Sequence, residues 1–75
     1  MHYSKNNIIV KIENSNPVEY AILNPITGSF DLMNQDEYTD LMRFKNNENT
    51  DNIDYEFVTY ILERGYVFHN SGESP

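Results

Sequence analysis

The 75 residues contain no cysteine and no tryptophan, only three glycines and three prolines, and five cationic side chains against twelve acidic ones. Each shortage excludes something. Without cysteine, no disulfide or thiolate-held metal can supplement a small core, which fits a reducing compartment. The five cations, Lys5, Lys11, Arg43, Lys45 and Arg64, are scattered. A nucleic-acid binder needs them clustered to displace counterions from phosphates, and an anionic-membrane binder needs a polybasic patch or a basic amphipathic helix. A DNA-reading domain would therefore depend on a partner for its basic surface. Long apolar runs are missing too. The longest, Tyr20 to Leu23, is far short of the ~20 residues of a transmembrane helix, and the opening Met1 to Asn7 lacks the apolar core of a signal peptide. The expectation is a cytoplasmic protein with neither a nucleic-acid nor a membrane partner.

Catalytic chemistry is equally short of material. There is no cysteine, no GxSxG elbow, and no histidine near a plausible serine partner. Gly28, Gly65 and Gly72 build no phosphate loop. His2 and His69 stand near opposite ends without an HxxxH or HExxH pair. Glu48, Asp51, Asp54 and Glu56 have a calcium-like composition but not the DxDxDG spacing of an EF-hand, and read as a solvated loop and helix start. The acids fall in turns and on polar helix faces, where nothing separates their pKa values for acid–base work. No enzyme, metal or cofactor is expected.

What is present suits one small α+β domain over residues 1–69, with 70–75 as a disordered tail or linker stub. Asn6-Asn7, Asn14 to Pro17, Asn24-Pro25 and Asn46 to Asn49 punctuate the apolar runs, as turn formers do. Ile8 to Glu13, Val18 to Leu23 and Ser29 to Met33 read as strands of an antiparallel meander. Val18, Tyr20 and Ile22 share one face, as do Phe30 and Leu32, and Gly28 supplies the positive φ that closes the second hairpin. The period then changes. Asn34 and Glu37 form a capping box, with Met33 and Tyr38 at the staple positions and Arg43 and Lys45 in the last turn, so a helix is expected over 35–45 with Leu41 and Met42 facing the core. A second helix is expected over 53–64, stopped by Gly65 at C′. Tyr66 to Phe68 then form a short extended segment that can return to the sheet. Asn46 to Asn52 leave room for at most a turn of a third helix.

Two features point to interaction. The second helix carries two apolar stripes, Ile53, Phe57, Tyr60 and Ile61 on one side and Tyr55, Val58 and Leu62 on another. Either both are buried, against the sheet and the first helix, or one lines a groove awaiting a partner. The third strand, Ser29-Phe30-Asp31-Leu32-Met33, has no Lys or Pro to blunt its edge and can accept an extended peptide by strand addition.

The stretch from Tyr20 to Asn34, with Asn24, Gly28 and Asn34 spaced between aliphatic strands, resembles the signature of PqqD-like recognition elements for ribosomally made, modified peptides, and Tyr60 to Phe68 resembles their closing segment. The resemblance covers residues 8–69. It implies a winged-helix-like domain without catalysis or cofactor. Such a domain captures the leader region of a precursor peptide as an added strand and presents it to a modifying enzyme, often of the radical-SAM type. Carried over to this chain, the cleft comprises Ser29, Phe30, Asp31, Leu32 and Met33 together with Phe57, Val58, Ile61 and Leu62. A second reading fits the size and the net charge of −7: a small acidic inhibitor of phage type, which mimics nucleic acid or blocks an enzyme's surface. Carboxylates arrayed along one face would favour it.

Overall fold

A computed structural model describes residues 1–69, so the expected tail lies outside the described residues. The element order is β1 (His2–Tyr3), β2 (Ile8–Ile12), β3 (Glu19–Asn24), β4 (Ser29–Asn34), α1 (Gln35–Lys45), α2 (Tyr55–Glu63) and β5 (Val67–Phe68). The meander is present: β2, β3 and β4 form an antiparallel sheet in that order. Ile9 stands opposite Ile22 and Ile22 opposite Asp31; Ile8 stands opposite Leu23 and Leu23 opposite Phe30. This register separates two faces, because successive strand residues point to opposite sides. Tyr20, Ile22, Ser29 and Met33 are buried on the inner face, whereas Ile8, Val10, Phe30 and Leu32 are exposed on the outer one.

Both helices cover the inner face. The α1 helix starts with the capping box, in which the Glu37 amide donates to Asn34 Oδ1 at 2.8 Å and the Asn34 amide to Glu37 Oε1 at 2.9 Å. Leu41 and Phe44 are buried, Met42 is partly so, and Tyr38 stacks on Tyr20 at 3.8 Å between ring centroids. The helix ends in a left-handed C′ residue, Asn47 at φ 56°, with the Glu48 amide donating to the Arg43 carbonyl at 2.9 Å. No helix lies between α1 and α2. Ile53, expected inside the second helix, is buried in the turn before it, so that helix starts at Tyr55 with Asp54 as its N-cap. It closes in a Schellman motif on Gly65 at φ 83°, where the Tyr66 amide donates to the Ile61 carbonyl at 3.0 Å and the Gly65 amide to Leu62 at 3.1 Å.

The closing segment does not return to the three-stranded sheet. Val67–Phe68 pair instead with His2–Tyr3, in a separate antiparallel ribbon. Sequence reasoning assigned no element to the first seven residues, yet they tie the two ends of the described chain together. The Ser4 amide donates to the Tyr66 carbonyl at 2.9 Å, and Asn7 Nδ2 donates to the same carbonyl at 2.8 Å. The core gathers Ile22, Met33, Leu41, Phe44, Ile53, Ile61, Tyr66 and Val67, with Tyr3 of β1 and Ile9 of β2 partly buried against it.

Candidate interaction surface

The nine residues expected in a cleft divide between the two faces of β4 and differ in burial along α2. Along β4, Ser29, Asp31 and Met33 point inward; Phe30 and Leu32 point outward and are 58% and 53% exposed. On α2, Ile61 is fully buried and belongs to the core, whereas Phe57, Val58 and Leu62 are half-buried around it. Tyr55, from the second stripe, is 80% exposed. Leu62 also lines an open depression of about 330 Å³ with Glu63, Gly65, Val67, Phe68 and His69.

The C-terminal end of α2 is fastened to β4 by a polar cluster that sequence reasoning missed. Asp31 is its centre. Arg64 Nε donates to Asp31 Oδ2 at 2.7 Å, and the Tyr66 hydroxyl donates to the same oxygen at 2.5 Å. Burial works against the charged carboxylate, but hydrogen bonds from Tyr60, Tyr66 and Arg64 outweigh it and hold Asp31 below its ordinary value. The same contacts act in reverse on the tyrosines. Burial and the neighbouring Asp31 charge push Tyr60 up to about 12 and Tyr66 higher still. The Arg64 carbonyl is held as well, by the hydroxyls of Ser29 at 2.6 Å and Thr27 at 3.1 Å. The signal in sequence was weak: an acid between the apolar Phe30 and Leu32, and an arginine beside a C′ glycine.

A second hub is Asn24, fully buried at the end of β3. Its Nδ2 donates toward Asn7 Oδ1 at 2.9 Å, Ser4 Oγ at 3.1 Å and the Gly65 carbonyl at 3.3 Å. Its Oδ1 accepts from the amides of Ile26 at 2.9 Å and Thr27 at 3.3 Å. One side chain thus joins the hairpin loop, the N-terminal segment and the helix stop. A buried amide with this many partners is a structural tie, because leaving any of them unpaired costs free energy.

With Asp31 and Asn24 committed to the fold, β4 keeps two features available to a partner. It is an edge, paired with β3 alone among the described residues. Its outward side chains are apolar and in water. One edge group is already engaged: the Phe30 carbonyl accepts from Arg64 Nη2 at 3.1 Å. Main-chain groups alternate in direction along a strand, so the groups of Leu32 share the direction of those of Phe30. No helix among the described residues is long and apolar enough to cross a membrane. Comparison with protein-family models, with curated proteins and with solved structures returns no match.

Proposed function

We propose that this chain is a peptide-recognition domain of the PqqD-like, winged-helix type. It captures the leader region of a ribosomally made precursor by strand addition along β4 and presents it to a peptide-modifying enzyme such as a radical-SAM maturase. The domain does no chemistry itself. The observation that carries the reading is the open edge of β4, without Lys or Pro, flanked by the exposed Phe30 and Leu32. Main-chain pairing supplies affinity in such complexes, and alternate side chains supply specificity. Leu32 offers a free main-chain edge, while pairing at Phe30 requires the Arg64 guanidinium to move off its carbonyl.

The test is a titration of isotopically labelled protein with the leader peptide of a candidate precursor. Amide shifts are expected along residues 29–33. A Leu32→Pro variant removes the edge N–H where proline is tolerated, and should stay folded by circular dichroism while losing binding. Shifts confined to other surfaces would sink the cleft. Salt-sensitive binding to a basic partner that ignores Leu32→Pro would support the acidic-inhibitor reading instead.

A further inference from the structure

The outer face of the sheet runs from β4, whose Phe30 and Leu32 flank the strand-addition edge, across to β2, and nothing among the described residues covers it. Two rows of aligned residues build it: Ile8, Leu23 and Phe30, then Val10, Ala21 and Leu32. Ile8 is 48% and Val10 57% exposed, comparable with Phe30 and Leu32 across the sheet. These four side chains leave roughly 400 Å² of apolar surface in water, within the range of the largest patch on a typical monomer, which is often functional. Glu19, in the next row, is the only charged residue of the three strands on this face, since Lys11 and Asp31 alternate to the other side.

Two arguments choose the occupant. The first is footprint. Two strand spacings separate β2 from β4, about 10 Å, which is the width of one α-helix with its side chains. The strands are five and six residues long, or about 17–20 Å, the length of roughly three helical turns. The second is charge. The chain carries −7, its rim residue on this face is an acid, and the one cation of the three strands, Lys11, alternates to the other face. A second copy would bring −14 together over about half of the ~800 Å² per partner that a standard interface buries.

We propose that the outer face of the β2–β3–β4 sheet docks an amphipathic α-helix of about three turns whose polar side is cationic. The helix lies along the strands, its apolar stripe over the two rows and its cations toward Glu19 and the surrounding acidic field. The sheet then has helices on both faces.

The probe is a synthetic helix of about four turns made of leucine and lysine, with leucine confined to one face, titrated into labelled protein. Shifts are expected at Ile8, Val10, Ala21, Leu23, Phe30 and Leu32. The double variant Ile8→Gln/Val10→Gln should weaken binding about tenfold or more and leave the fold intact, since both side chains are exposed. A leucine/glutamate helix of the same pattern should bind at least about tenfold more weakly. Ile8 and Val10 lie on β2, across the sheet from the β4 edge, so the variant leaves precursor capture unchanged and the two proposals fail separately. Shifts that avoid the face, equal binding by the double variant, equal binding of the acidic helix, or a dimer in sedimentation that the double variant dissolves would each overturn the inference.

Discussion

Replacing Gly65 by alanine tests how α2 is stopped and fastened to the sheet. Gly65 sits at φ 83°, a region that costs an L-residue about 1 kcal/mol or more. A Cβ at this position would also collide with the Thr27 Cγ2 methyl and stand 3.2 Å from Thr27 Cβ and Oγ1. Thr27 cannot retreat freely, because its hydroxyl donates to the Arg64 carbonyl at 3.1 Å and its amide to Asn24 Oδ1 at 3.3 Å. Weakening these two bonds costs about 1 kcal/mol each. Gly65→Ala should therefore destabilise by about 3 kcal/mol, a large part of the ~4–11 kcal/mol expected for 75 residues. The thermal midpoint should fall by about 10–20 °C. The second arm removes the colliding methyl while keeping the hydroxyl. Thr27→Ser alone should be almost neutral, and in the Gly65→Ala background it should restore about 1–2 kcal/mol in urea titrations at unchanged m-value. A cost below about 1 kcal/mol for Gly65→Ala, or no rescue by Thr27→Ser, would refute the reasoning.

Two further stability predictions follow from the polar hubs. Asn24→Ala should cost about 3 kcal/mol in urea unfolding, because the Ile26 and Thr27 amides lose their acceptor while Ser4 Oγ and Asn7 Oδ1 lose a donor. Asp31 is held below its ordinary value of 3.8, so its contribution is present above that pH and is lost as pH falls through the lower folded value. Tyr60 and Tyr66 are raised, so theirs is present below 10.0 and is lost as pH climbs from there, through about 12 for Tyr60. Asp31→Asn should flatten both limbs of a plot of urea midpoint against pH; unchanged limbs would remove the carboxylate from the account.

Much of the fold was legible because it is local. Asn34 and Glu37 cap each other across three residues, so the first helix could be read with its observed bounds, Gln35–Lys45. Asn24 and Gly28 marked the hairpin, and Gly65 the stop of α2. What escaped reading depends on distant partners. His2–Tyr3 has no periodicity of its own and becomes a strand only because Val67–Phe68 arrives beside it. Asn24 reads as a turn former, yet its side chain is a buried tie whose partners come from positions 4, 7 and 65. The two stripes of α2 could not be ranked from spacing. In the structure Ile61 is buried and Tyr55 stands in water, with Arg64 and the Tyr66 hydroxyl both joined to Asp31. Ile53 continues the helical spacing but fills the core from a turn.

On β4 the period of two divides labour between stability and recognition. Ser29, Asp31 and Met33 are spent inward, on the Arg64 carbonyl, the Arg64–Tyr66 cluster and the core. Phe30 and Leu32 contribute exposed side chains outward, so substituting them should change binding with little effect on folding. The two sets meet in a single side chain. Arg64 holds Asp31 with Nε and the Phe30 carbonyl with Nη2. A peptide strand that takes the Phe30 carbonyl must displace Nη2, and whatever restrains the guanidinium on Asp31 then resists or accommodates that displacement. Arg64→Lys, which keeps the charge but loses the fork that spans both acceptors, separates the two roles. It should weaken the tie between α2 and β4 while freeing the Phe30 carbonyl, so the domain becomes less stable yet pairs more readily along its edge.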